Sequence, residues 1–213
     1  ELLDAGCGTG GHAFPLAERG YEIVAFDQSK LMVTRAREKA RERKTNVEFH
    51  VADLRDLSLN KKFDACISLF AVMGYLTKNS DIQKALRNIK GHLQKDALFV
   101  FDVWNGLAVL RILPSVRVKI MRDKNRKVIR TAEPELDSFN HLCKVHYRII
   151  SLQDEVVVGE VEEIHLMRFY FPQEIKYYLE SANFEVLTIC PFLNLNGKVD
   201  EEVWNMAIVA RAG

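Results

Sequence analysis

Glu1-Leu2-Leu3-Asp4-Ala5-Gly6-Cys7-Gly8-Thr9-Gly10-Gly11 is the stretch on which the reading of the chain turns. A short apolar run of strand length ends in four glycines within six positions, and the helical stretch His12 to Arg19 follows. A bare strand-to-helix turn needs fewer glycines than this. Small residues at such a junction let a ligand approach the backbone, and the following helix start can face an anionic group. The spacing alone leaves two occupants open. Gly6, Gly8 and Gly11 satisfy the dinucleotide pattern G-x-G-x-x-G, whereas Gly6, Gly8 and Gly10 satisfy the tighter G-x-G-x-G.

Outward from this loop, apolar runs at Leu2 to Ala5, Glu22 to Phe26, Val47 to Val51, Phe63 to Leu69 and Ala97 to Val103 alternate with helical stretches. The helices are expected at His12 to Arg19, Lys30 to Arg43 and Asp81 to Leu93, with Ser29 and Ser80 as N-caps. This alternation predicts an α/β fold, a parallel sheet with helices on both faces. Between Arg117 and Phe169 the pattern changes to period-2 segments, Val116 to Met121, Leu142 to Ser151 and Val156 to His165, separated by polar turns. That stretch reads as an antiparallel β insertion after the fifth strand. A helix from Pro172 to about Ala182 then leads to Phe184 to Cys190 and Val203 to Ala210, a closing hairpin joined through the Asn194 to Gly197 turn. One domain is expected over 1–213, with its core in 1–104 and 170–213 and the insertion, a lid or dimerisation surface, at about 105–169. Since the first residue, Glu1, already stands at the first strand, a further N-terminal segment is expected.

Acids at the strand ends help to decide between the occupants. Asp27 ends the second strand about twenty residues beyond the loop, where a carboxylate accepts hydrogen bonds from ribose hydroxyls in either case. Asp53, in Ala52-Asp53-Leu54, ends the third strand and can accept from an adenine amino group. Asp4, at a strand end that is usually apolar in dinucleotide folds, suits a cofactor carrying ammonium and sulfonium charges. Together they favour S-adenosylmethionine, leaving S-adenosylhomocysteine as product. A nicotinamide-dependent oxidoreductase shares the glycines and Asp27 but explains neither Asp53 nor the hairpin. A non-catalytic, partner-binding subunit would have no need of the loop.

These residues resemble the class I S-adenosylmethionine-dependent methyltransferases: Asp4 to Gly10 is similar to that family's first motif, Asp27 to its ribose-binding acid, Ala52-Asp53-Leu54 to its adenine-side motif, and Phe63-Asp64 to the start of its fourth strand. The resemblance implies a Rossmann-like, seven-stranded, mostly parallel sheet with an antiparallel last strand. It implies a cofactor site of Asp4, Gly6, Cys7, Gly8, Gly10, Asp27, Gln28, Asp53 and Leu54, with Leu69 and Phe70 facing the methionine end. The segment Lys62 to Leu76, together with the insertion, more narrowly resembles N,N-dimethyltransferases of nucleotide-linked amino sugars. Part of that group's acceptor site lies upstream of the first strand, so none of its catalytic residues is carried over.

Methyl transfer is an in-line displacement, so the protein has mainly to align an acceptor lone pair and exclude water. A general base helps a hydroxyl more than a neutral amine. Tyr75, Trp104 and Asn105 follow strand ends, and His165 and Arg168 close the insertion; these are the acceptor-side candidates. The expected acceptor is a soluble small molecule methylated on N or O. With 30 Lys plus Arg against 29 Asp plus Glu, net charge +1, no polyanionic partner is indicated. Ser68-Leu69-Phe70-Ala71 also replaces the Asn/Asp-Pro-Pro-aromatic motif of nucleic-acid amino methylases, so DNA is not expected, nor, less firmly, RNA. The longest uncharged stretch, Ala65 to Leu76, is too short to span a bilayer, and Cys7, Cys66, Cys143 and Cys190 form no metal or disulfide pattern. A cytoplasmic setting and no metal are therefore expected, with a homodimer through the insertion as one use of its edges.

Overall fold

A computed structural model describes residues 1–213. Strands β1 (Leu2–Ala5), β2 (Ile23–Asp27), β3 (Glu48–Val51), β4 (Phe63–Ser68), β5 (Leu93–Trp104), β10 (Phe184–Pro191) and β11 (Asn205–Ala212) form one sheet in the order β10-β11-β5-β4-β1-β2-β3. The pairings from β3 through β5 are parallel, and β11 runs antiparallel to both β5 and β10. The seven-stranded, mostly parallel sheet with one reversed strand is as expected.

Alternation along each strand sorts side chains to two faces. Leu3 and Ala5 of β1 and Val24 and Phe26 of β2 join a large core with Ile82, Leu86 and Ile89 of α3 (Asn79–Gly91) and Ile175 and Leu179 of α5 (Pro172–Ser181). Leu2, Ile23 and Ala25 join a smaller one with Phe14 of α1 (Ala13–Glu18) and Val33 and Ala36 of α2 (Lys30–Arg43). Helix α2 starts where Ser29 Oγ accepts from Met32 N at 3.3 Å and stops at Lys44 in the left-handed region. Helix α5 has Pro172 in its first turn, and Glu174 accepts from Phe171 N.

Several local expectations give way. Ser80 lies inside α3, whose N-cap is Lys78. The insertion begins with a short helix, α4 (Gly106–Ile112), capped by Asn105. It continues as a four-stranded antiparallel sheet of β6 (Arg117–Asp123), β7 (Arg126–Asp137), β8 (Leu142–Gln153) and β9 (Val156–Arg168). Strand β7 goes unrecognised in the sequence because Arg126, Lys127, Arg130 and Glu133 dilute its apolar alternation and Pro134 sits within it. No helix is long and apolar enough to cross a membrane.

The insertion is stitched to the core at both ends. Tyr170 N donates to Trp104 O at 3.0 Å and Gly106 N to Tyr170 O at 2.9 Å. The fully buried Tyr170 hydroxyl donates to Leu76 O at 3.1 Å. Gly74 lets β9 approach closely, since a Cβ there would stand 2.9 Å from Met167 Cε. The inner face of the four-stranded sheet is thereby held over the C-terminal ends of β1 and β4. There the chain, having laid β2 and β3 on one side of β1, returns to lay β4 on the other, and such a switch point opens a crevice.

Candidate active site

The crevice is a cleft of about 340 Å³ whose walls include Gly6, Gly8, Asp27, Gln28, Asp53 and Leu54. Gly6, Gly8 and Gly10 have φ of 81°, 54° and 84°, a region that side chains disfavour, whereas Gly11 does not. The tighter G-x-G-x-G spacing is therefore the one the backbone uses. A Cβ at Gly6 would lie 2.4 Å from Val72 Cγ1, and one at Gly10 2.6 Å from the Phe14 ring. At Gly8 it would meet nothing within 4 Å, so this glycine leaves room for a ligand against the backbone. Asp27 fixes the loop by accepting from Gly8 N through Oδ2 (2.9 Å) and from Ser29 N through Oδ1 (2.8 Å). Each oxygen keeps a free lone pair for a ribose hydroxyl.

Asp53 is also partly engaged. Its carboxylate accepts from Arg55 N, Nε and Nη2, and Arg55 reaches on to Asp81 at 3.2 Å. The Arg55 guanidinium holds the Asp53 carboxyl below its ordinary range, so it stays ionised and an acceptor. Asp53 Oδ2 takes one bond only and can accept another. Sequence reasoning passed over Arg55, although its two-residue distance from Asp53 is the signature of a local carboxylate–arginine turn.

Asp4 is 1% exposed, and its Oδ2 has no hydrogen-bond partner. Burial, aided by the nearby Asp27 charge, pushes its pKa up to about 7. A buried, unpartnered carboxylate beside an open glycine backbone fits a ligand that brings a cation to this strand end. This orphaned oxygen and the room at Gly8 match a cofactor with an ammonium and a sulfonium group. Cys7, in contrast, packs its side chain among Phe14 and Val33, and its N–H is bound to Phe26 O at 2.9 Å, so it offers the cleft no donor.

Beyond β4, Phe70 and Ala71 both adopt left-handed conformations, φ 68° and 57°. Asp102 of β5 imposes this turn: its buried carboxylate accepts from Phe70 N (2.6 Å), Ala71 N (3.0 Å) and Asn205 Nδ2 (3.4 Å). Strained backbone held by a buried acid marks a place where one geometry is enforced. The turn leaves Leu69 half-buried and lifts the Phe70 ring out, 68% exposed, to stack on His12 at 5.1 Å. Sequence reasoning passed over Asp102, although an acid inside the apolar run Leu98 to Trp104 is its signal, since a charge in a central strand must have partners.

The acceptor-side candidates separate. Tyr75 and His165 both line the cleft, and the Tyr75 hydroxyl lies 2.5 Å from His165 Nδ1. His165 Nε2 is 3.1 Å from Glu163 Oε2, two residues back on the same face of β9. Arg168 takes no part in the cleft. It is buried, bonds Glu174 (2.5 Å) and Asn79 (2.8 Å), and lies over the Tyr170 ring, tying β9 to α3 and α5. Asn105 is likewise spent on structure, accepting from Leu107 N and donating to Asp200 O and Val203 O. Trp104 lies outside the cleft and lines a neighbouring cavity with Trp204.

A family model described as "Methyltransferase domain" matches residues 2–96. The chain is 31% identical over 185 residues to the dTDP-3-amino-3,4,6-trideoxy-alpha-D-glucopyranose N,N-dimethyltransferase of Streptomyces venezuelae, covering 87% of this chain and 75% of that protein. Its fold is similar to that of an S-adenosylmethionine-dependent methyltransferase from Clostridium acetobutylicum, with TM-score 0.88 and 22% identity over 100% of this chain and 83% of that one. It is also similar to an S-adenosylmethionine-bound amino pentose methyltransferase from Micromonospora echinaspora, with TM-score 0.77 and 20% identity over the same shares. These likenesses overturn the oxidoreductase alternative.

Proposed function

Since the chain belongs to the class I S-adenosylmethionine-dependent methyltransferases, we propose that it methylates an amine nitrogen of a soluble small molecule, with an amino sugar as the leading candidate. The observation that carries the reading is the Tyr75–His165 pair in the wall of the cofactor cleft, backed by Glu163 at His165 Nε2. S-adenosylmethionine supplies an electrophilic methyl group whose bond to sulfur breaks as the acceptor nitrogen shares its lone pair. The protein's own work is to bind, orient and take up the proton.

Asp4, Asp27, Asp53, Gln28, Leu54 and the backbone at Gly6 and Gly8 would hold the cofactor, with Asp4 opposite its cationic end. The Phe70–Ala71 turn fixes one wall of the reacting region. An amine attacks only when neutral, and after transfer its nitrogen carries one proton too many. His165 Nδ1, beside the Tyr75 hydroxyl, is placed to receive that proton directly or through the phenol. Glu163 at Nε2 stabilises the imidazolium formed and fixes the tautomer. Burial raises the Tyr75 pKa, so the phenol relays a proton and remains neutral. The N,N-dimethyltransferase relative supports nitrogen over oxygen, and the near-zero net charge supports a small acceptor over a nucleic acid.

The test is methyl transfer to a panel of amino sugars, simple amines and phenols, read by product mass. Amine products are expected, with His165→Asn lowering kcat about 10²-fold. Phenol products alone, or an unchanged kcat in His165→Asn, would overturn the assignment.

A further inference from the structure

Arg55 stands in the wall of the cofactor cleft, and neither the cofactor contacts nor the proton path assigned above uses it. Its fork closes on the Asp53 carboxylate from one side, Nε donating to Oδ1 at 2.8 Å and Nη2 to Oδ2 at 2.6 Å. Arg55 N donates to the same Oδ1 at 2.8 Å, so backbone and side chain of one residue grip one oxygen. The other arm of the fork, Nη1, donates at 3.2 Å to Asp81 in the first turn of α3. A bidentate arginine–carboxylate pair fixes the plane of the carboxylate as well as its position. Asp53 is therefore held in one orientation from two elements, with a single lone pair, on Oδ2, left to offer the cleft.

The neighbouring backbone supplies a donor. In the turn that follows β3, the amides of Ala52, Arg55, Asp56 and Leu57 all donate within the protein, whereas those of Asp53 and Leu54 do not. Leu54 lines the cleft beside Asp53. An acceptor on one residue and a free N–H on the next are the complement of a flat ring edge that carries an amino group next to an unprotonated ring nitrogen. A 6-aminopurine has that edge. A 6-oxopurine reverses it, turning a carbonyl oxygen toward the carboxylate and a ring N–H toward the amide.

We infer that Arg55 is a positioning residue that makes the cleft selective for a 6-aminopurine over a 6-oxopurine, by locking the Asp53 carboxylate in the orientation that leaves its remaining lone pair to the amino group. Selectivity is a difference of two affinities, and the lock works on both. Unlocked, the carboxylate has to be ordered at each binding event, which weakens the right base. It can also turn away from the oxo group, which relieves the wrong one. The inference rests on the reading of this cleft as the cofactor site.

The full chain is titrated by calorimetry with S-adenosylhomocysteine and with S-inosylhomocysteine, its 6-oxopurine counterpart. The parent should favour the adenosyl compound at least about thirtyfold. Arg55→Met and Arg55→Lys should each shrink that ratio at least about fivefold, since lysine keeps the charge but not the fork. Both variants should bind the inosyl compound at least as tightly as the parent does, which also shows that they are folded. On an Asp53→Ala background, adding Arg55→Met should leave the ratio within about twofold, because Arg55 acts through Asp53. Equal loss of both ligands in the Arg55 variants, a parent that does not discriminate, or a further change of ratio on the Asp53→Ala background would overturn this role. A parent that binds neither compound would instead refute the cofactor cleft, and the role of Arg55 with it.

Discussion

Replacing Asp4 by asparagine should stabilise the cofactor-free protein at alkaline pH while crippling cofactor binding. The Asp4 carboxyl is buried with an unpartnered oxygen, and its pKa is displaced from the ordinary 3.8 to about 7. Folding therefore favours the protonated acid. Stability is lost as pH rises from about 4 to about 7, and above that range the folded state carries a penalty of about 4 kcal/mol. Asparagine removes the charge but leaves a buried amide without a full set of partners, a loss of about 1–3 kcal/mol that does not vary with pH. The pH-dependent part is thus separable. Between pH 5.5 and pH 8 the advantage of Asp4→Asn over the parent should grow by about 2 kcal/mol, or about 4–8 °C in Tm for a chain of this size. Scanning calorimetry of both proteins at the two pH values measures it. A Tm difference that stays constant would refute the claim that a buried, unpaired carboxylate titrates here. With S-adenosylhomocysteine present the sign reverses, because the ligand's ammonium selects ionised Asp4. The parent's affinity should rise up to about tenfold per pH unit below pH 7 and level off above it, whereas the variant binds weakly at every pH.

Other perturbations separate binding from support. Asp27→Ala removes the acceptor for Gly8 N and Ser29 N as well as the ribose-facing oxygens, so S-adenosylhomocysteine affinity by calorimetry should fall at least about tenfold, while Tm drops only a few degrees. Asp102→Asn keeps one acceptor oxygen for two backbone donors; stability should fall by about 1–3 kcal/mol and kcat roughly tenfold or more, with KM for the cofactor little changed. Arg168→Met leaves the partly buried Glu174 without its cation and should cost about 1–3 kcal/mol in denaturant unfolding, yet leave S-adenosylhomocysteine affinity intact below the transition.

The parts legible in the sequence are those whose physics is local. The glycine loop, Ser29 as a cap, and the strand-end acids Asp27 and Asp53 each depend on neighbours a few residues away, and the structure places them at the cleft or at its helix start. The parallel strands are likewise legible as apolar runs, because burial on both faces leaves few polar residues to interrupt them. Residues whose role depends on which remote element arrives beside them were misjudged. Arg168 reads as an acceptor-side residue because it closes the insertion, but α3 and α5 bring Asn79 and Glu174 to its two terminal nitrogens and turn it away from the cleft. Asn105 has the same history: a polar residue at a strand end reads as pocket lining until the 200–203 segment supplies two carbonyls to its amide. Strand β7 was missed for a related reason, since its inner face is partly cationic and the half-exposed sheet it joins has weak apolar alternation.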